Sequence, residues 1–328
     1  MNKKTITQFV TDRNFDKKLF TAGPASLVDE NLSGLMPCFG RGDTSYLDLE
    51  KQVLSDLKKM TGHSKIARLQ GSASLALEIM TLNFLYGKVL VVNTGYYSER
   101  MIKLSKDAMA YKNITKVNSV DWKEISNLTD SYDWIIACPT ETSCGLKIPI
   151  NELYKLAKNC NAKLMLDATA SIGLESEHEL ADVLAYSSCK GLFGLTGAAF
   201  IAFNELPNFN PASFYLDLTS HLDRKMTGPY HAITSLSGVL SEHKSFREAV
   251  VINKNKFLEK MKQYITLPMK NQPLLCTKVS CEIFSKDPKA ILYKPRTQDP
   301  GSVVCHLGEV HLKERAEAKI LDVLEWNS

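Results

Sequence analysis

The stretch Ala185-Tyr186-Ser187-Ser188-Cys189-Lys190-Gly191-Leu192-Phe193-Gly194-Leu195-Thr196-Gly197-Ala198-Ala199-Phe200 decides how the rest of the chain is read. An apolar run ends in two serines and one lysine, a glycine-spaced turn follows, and apolar residues resume. A lysine in a tight turn between two buried strands is held at a fixed point. Lysine amines form Schiff bases with carbonyl cofactors, and burial lowers their pKa toward the nucleophilic free amine. Upstream, Lys163-Leu164-Met165-Leu166-Asp167 is an apolar strand that delivers a carboxylate at its end. A lysine and an aspartate so placed match pyridoxal 5'-phosphate (PLP), which needs an anchor for its aldehyde and a partner for its pyridinium nitrogen. A solvated turn lysine is the plain alternative, and the flanking segments weigh against it.

Working outward, Lys88–Val92, Trp134–Cys138, Lys163–Asp167, the run into Ser187, and Ala198–Phe203 read as buried strands. Helical patterns alternate with them, carrying Val53, Leu54, Leu57 and Met60, then Leu75, Leu77, Ile79 and Met80, then Leu153, Leu156 and Ala157. Continuous apolar strands separated by helices predict an α/β fold with a mostly parallel sheet covered on both faces. Ligands bind such sheets at the carboxyl ends of the strands. The polar clusters fall there: Gln70-Gly71-Ser72-Ala73-Ser74 opens a helix and could cradle a phosphate or serve as a serine N-cap, Asn93-Thr94-Gly95-Tyr96-Tyr97 follows one strand, and Pro139-Thr140-Glu141-Thr142-Ser143-Cys144-Gly145 follows another. Nearer the N-terminus, Thr21-Ala22-Gly23-Pro24 reads as a fixed turn and Gly40-Arg41-Gly42-Asp43 as a loop with an exposed arginine. Beyond Asn204 the pattern changes to a helical region reaching about Met261, short β-like runs at Thr277–Phe284 and Ala290–Tyr293, and a closing helix with Ile320, Leu321 and Leu324. The expected division is a large domain over residues 1–230, with an N-terminal arm, and a smaller α+β domain over 231–328.

A chain of 328 residues, 44% hydrophobic and 23% charged, has the make-up of an ordinary globular protein. Its net charge of +4 is dispersed, which points away from nucleic acid and membrane surfaces. No apolar stretch opens the sequence, so neither a signal peptide nor a membrane span is expected. Eight cysteines without a CxxC pair, and no histidine at ligand spacing, imply reduced thiols in a cytoplasmic protein and no metal site. Cys144 and Cys189 lie inside the expected site but read as packing.

Taken together, these motifs resemble the class V branch of the fold-type I PLP-dependent aminotransferases, closest to those acting on 2-aminoethylphosphonate and pyruvate. The likeness runs from Thr21-Ala22-Gly23-Pro24 to the end of the chain. It implies that Lys190 is the Schiff-base lysine and Asp167 the partner of the pyridine nitrogen. Ser72, Ala73 and Ser74 match the phosphate-binding helix start. Tyr97 matches the aromatic stacked on the cofactor ring in a Gly-x-aromatic-(Gly/Ser)-x-Arg motif, and Thr142 the hydroxyl beside the ring's phenolic oxygen. Thr227 matches a residue reaching the cofactor phosphate of a second subunit, so a homodimer with a shared active site is implied. The departure lies in Cys305-His306-Leu307-Gly308, where His306 stands in place of an arginine that clamps the substrate's acidic group. Arginine is permanently charged and binds acids as a fork, whereas histidine does neither. Arg296 or Arg41 could supply a replacement; equally, the natural substrate could lack the acidic group, or His306 could contact a different group of it.

The activity so implied is amino transfer from a small acid-bearing primary amine, 2-aminoethylphosphonate-like, to a 2-oxo acid such as pyruvate. A PLP lyase or decarboxylase on the same fold shares Lys190 and Asp167 but needs no acceptor. A non-catalytic protein retaining the fold would need neither residue.

Overall fold

The computed structural model describes residues 5–24, 27–36, 40, 42–297, 299–312 and 315–327. Its centre is a sheet of seven strands: β1 (Lys65–Gln70), β2 (Gly87–Asn93), β3 (Ile114–Asp121), β4 (Trp134–Ala137), β5 (Lys163–Asp167), β6 (Val183–Ser187) and β7 (Ala198–Phe203). Their spatial order is β1-β7-β6-β5-β4-β2-β3. Strand β7 runs antiparallel to both of its neighbours, and the other pairings are parallel. The expectation of a mostly parallel α/β sheet holds.

Alternation along the strands assigns side chains to two cores. Leu90, Val92, Ile135, Leu164, Leu166, Leu184, Tyr186 and Phe200 face one layer, formed by helix α1 (Thr44–Thr61), helix α4 (Ile150–Asn159) and the start of helix α5 (Tyr230–Lys260). Val89, Val91, Ile136, Met165, Val183, Ala185 and Ile201 face the other, formed by helices α2 (Ala73–Phe84) and α3 (Tyr96–Ala108). Because both faces are covered, the strands are apolar throughout rather than alternately polar.

Two of the seven strands were not apparent in the sequence. In β1 the charged Arg68 interrupts the apolar run; it is buried and ion-paired with the fully buried Glu50 of α1. Strand β3 lies at the sheet edge, pairs only with β2, and is largely exposed, so it lacks an apolar signature.

Helix α5, about 45 Å long at its residue count, leads from the sheet to the C-terminal layer. There β8 (Cys276–Val279) pairs with β9 (Ser302–Cys305), and Glu282–Ser285 pairs with Leu324–Asn327. The expected single run from Thr277 to Phe284 is thus two strands in separate sheets. The expected closing helix is one turn, Ile320–Val323, after which Leu324 begins a strand. The N-terminal segment belongs to this layer, since Lys18–Phe20 pairs with Ala290–Leu292, and Phe20 packs with Phe257, Val304 and Ile320. Among the described residues no helix is long and apolar enough to cross a membrane.

Candidate active site

Lys190 lies three residues past β6, in a turn that β6 and β7 enclose. Ser188 donates through its hydroxyl to the Ala198 carbonyl at 3.1 Å, and the amides of Gly194 and Phe193 bond back to Ser188 and Lys190 at 2.8 and 2.9 Å. From outside, the His243 ring donates to the Gly191 carbonyl at 2.8 Å and the Asn31 side-chain amide to the Phe193 carbonyl at 3.0 Å. Gly191 is obligatory, because a Cβ there would lie 2.3 Å from the Ile172 carbonyl oxygen. Gly23 crosses over the lysine stem with φ of +128°, and a Cβ on it would come within 2.8 Å of Lys190 Cγ. The N-terminal Thr21-Ala22-Gly23-Pro24 turn is therefore part of the wall of the site.

Asp167 ends β5, adjacent in the sheet to β6, and is 6% exposed. Its Oδ1 accepts from the Thr169 amide and hydroxyl, which locks the carboxylate rotamer. Its Oδ2 has the Cys138 thiol at 3.7 Å. Burial, with the Asp167 carboxylate next in effect, pushes that thiol's pKa up and keeps it a neutral donor.

Tyr97 in the first turn of α3 completes this group: the Lys190 amine lies 5.4 Å from its ring centroid. What fixes Tyr97 is Glu141, fully buried, which accepts from the amides of Tyr97 (2.9 Å), Ser98 (3.3 Å) and Ser143 (3.1 Å). It caps α3 from another strand's end, where a carboxylate meets the helix's free N–H groups and positive end. Desolvation still raises its pKa, so burial outweighs those bonds. Thr142, next to it, is fully buried, and its hydroxyl and that of Tyr293 lie beside one another without a well-formed bond.

At the start of α2, Ser72 occupies the N-cap without a side-chain bond to the helix, and Ser72 and Ser74 are exposed, with Ala73 half-buried. The first-turn N–H groups therefore keep their capacity for an anion. Arg100, one turn after Tyr97, donates to Ser74 Oγ at 3.1 Å, and its guanidinium lies 5.1 Å from the Tyr97 ring centre. From the C-terminal layer, Arg296 donates to the Tyr96 hydroxyl at 3.3 Å, and Thr297 to the Ser143 carbonyl at 3.0 Å. Among the described residues no carboxylate lies within ion-pair distance of Lys190, Arg100 or Arg296. The cleft is cationic.

Contacts through Tyr96, Tyr97 and Arg100 thus link Lys190, Ser74 and Arg296, and Asp167 ends the strand beside the one that leads to Lys190. His306 does not join them. It is fully buried, with Nε2 2.9 Å from the Thr277 hydroxyl and its ring 5.1 Å from that of Phe257. Desolvation, with Lys254 adding to it, drives its pKa well below the usual imidazole value, so it is neutral and has no surface open to a substrate. Thr227 is exposed on the loop before α5, and Arg41 lies outside the described residues. The sequence reading gave no role to Thr169, Glu141, Arg100 or Gly23. Asp167-Ala168-Thr169 does carry a signal, since an Asp side chain accepts from the backbone amide two residues on, as here from Thr169. Glu141 and Gly23 act only across the fold and carry none.

No family model matches the chain. It is 26% identical over 250 residues to an uncharacterised aminotransferase of Methanocaldococcus jannaschii, covering 69% of this chain and 64% of that protein. It is also 26% identical over 251 residues to the 2-aminoethylphosphonate–pyruvate transaminase of Pseudomonas aeruginosa, covering 69% and 67%. The chain thus matches about two thirds of the length of these curated relatives. The alanine–glyoxylate aminotransferase of Nostoc superposes with a TM-score of 0.77 at 16% identity, over 98% of this chain and 95% of that one. The fold is that of the fold-type I aminotransferases.

Proposed function

From a chain that has the fold of the fold-type I aminotransferases and resembles their class V branch, we propose a PLP-dependent aminotransferase that moves an amino group from a small primary amine to a 2-oxo acid. The observation that carries this is the Lys190 amine over the Tyr97 ring, with the buried Asp167 at the end of the adjoining strand. The residues fit the cofactor: a fixed amine, a buried carboxylate with one oxygen left to a weak thiol donor, a helix start without a side-chain cap, and the buried Thr142 hydroxyl lacking a good partner.

Lys190 would hold the aldehyde, Asp167 the ring nitrogen, Tyr97 the ring face, Thr142 the ring oxygen, and Ser72, Ala73 and Ser74 the phosphate. When bound, PLP supplies an electron sink for the pair left on the substrate carbon once its proton is removed. Lys190 Nζ would be the base that takes this proton and the acid that returns it. Asp167, its rotamer fixed by the Thr169 donors, would face the ring nitrogen and favour its protonated form. The Gly23 crossing bounds the Lys190 stem, and the Tyr97 ring lies beside its amine.

The reading extends to a cytoplasmic homodimer in which Thr227 reaches the partner's phosphate, and to a large domain over residues 1–230, whose N-terminal arm crosses to pair with the smaller domain over 231–328. The likeness to a 2-aminoethylphosphonate–pyruvate transaminase supports that amine and pyruvate as the first pair to try.

The test is the visible spectrum of purified protein loaded with PLP. The band of lysine-bound cofactor is expected to bleach on adding 2-aminoethylphosphonate and to return with pyruvate, and Lys190→Ala is expected to abolish both changes. Amine consumption without bleaching or any acceptor would identify a lyase or decarboxylase instead. A protein that takes up no PLP would end the catalytic reading.

A further inference from the structure

The departure at His306 leaves the acidic group of the substrate without its expected partner, and the structure holds a replacement elsewhere. His306 is enclosed by Phe257 and Thr277 and has no exposed surface. Lys254, the nearest buried cation, is committed to the carbonyls of Pro273 and Cys276, the latter at 2.9 Å, and to the Thr277 hydroxyl at 3.3 Å. Neither is open to an anion.

Across the cleft, Tyr96 stands beside two arginines. Arg100 lies 6.0 Å from its ring centre, and Arg296 lies 5.3 Å from it while donating to its hydroxyl. The two arginines differ in their commitments. Arg100 is half-buried and tied to Ser74 at the helix start, on the side of the expected phosphate. Arg296 is exposed, donates to the Tyr96 hydroxyl with the Tyr97 hydroxyl also beside it, and carries five N–H donors, so donors remain for a ligand. A guanidinium supported on an aromatic ring and by one hydroxyl is preorganised to meet an acid bidentately with the donors that remain.

We infer that Arg296, positioned by Tyr96, binds the acidic group of the amine substrate, so the clamp has moved from the interior of the C-terminal layer to the mouth of the cleft. This rests on the proposed aminotransferase reading and gives its substrate class: amines ending in one carboxylate or phosphonate. Arg296 is the binding residue. Tyr96 is a positioning residue, acting through the guanidinium.

The experiment titrates the PLP-loaded protein by calorimetry with ethylphosphonate and with propionate, which carry the acid but no amine, and with propanol as the uncharged control. Arg296→Gln is expected to weaken both acids about 10- to 100-fold, the scale of a lost charge-assisted bond. Tyr96→Phe is expected to weaken them about 3- to 10-fold, the scale of one neutral bond. Arg296→Lys is expected to recover part of the loss, and propanol binding is expected to stay the same throughout. Acids bound equally by wild type and Arg296→Gln, or not bound by wild type, would overturn the inference. If the acids bind through Arg296 but the cofactor band never responds to amines, the clamp stands and the aminotransferase reading fails.

Discussion

Lys190 owes its position to what holds its backbone and stem. The turn hydrogen bonds of Ser188 and the His243 contact to Gly191 fix where the side chain begins, and Gly23 limits where the stem can go. At Gly23 a side chain meets two costs, a left-handed φ and a close approach to Lys190 Cγ. Gly23→Ala is therefore expected to retain the visible band of bound cofactor but slow its bleaching by amine about 10- to 100-fold, as misplacement of a reacting group does; stopped-flow absorbance measures it. Lys190 and Asp167 were legible in the sequence because each ends or follows an apolar strand. Gly23 was legible as a turn, but its contact with a residue far along the chain was not.

At the scale of elements, helix α3 gains its terminus from outside. Gly95 at its N-cap has no side chain, and Glu141, from the loop after β4, accepts the first-turn amides instead. Glu141→Gln keeps the shape but turns an N–H₂ group toward donors. It is expected to cost about 1–2 kcal/mol, in the range of a lost cap, read from the denaturant midpoint, and to weaken PLP binding because Tyr97 moves with the helix. The strands in the middle of the sheet were legible because burial on both faces leaves no polar positions. Strand β1 was hidden by Arg68, whose charge is tolerated only because Glu50 lies buried beside it, and β3 by its place at the edge.

For the whole molecule, burial of histidines ties stability to pH. His178, 2% exposed and bonded to the Ser171 hydroxyl at 2.9 Å, has its pKa lowered to about 4 by desolvation, with His63 adding to it. His306 is likewise held well below its usual value, first by desolvation and then by Lys254. In the unfolded chain both titrate near 6.5, so between about 6.5 and 4 the unfolded state binds protons that the native state refuses. Their contribution is full above pH 6.5 and is lost as the pH falls. Glu309 opposes it: desolvation raises its pKa to about 8, so its contribution is full below the ordinary carboxyl value near 4.5 and is lost as the pH rises through 8. The expected profile of thermal midpoint against pH rises from 4 to 6.5 and declines toward 8, and Glu309→Gln is expected to remove the decline and to steepen the rise below 6.5. The sequence by itself determined the α/β class, the strand-borne Asp167 and the turn-borne Lys190, because burial and backbone conformation impose local patterns. Only the tertiary structure decided that the N-terminal turn walls the site, that Glu141 caps α3, and that Arg296 rather than His306 faces the cleft. Those facts depend on which distant segments meet, and on which side of a strand end a side chain falls, and no local pattern encodes either.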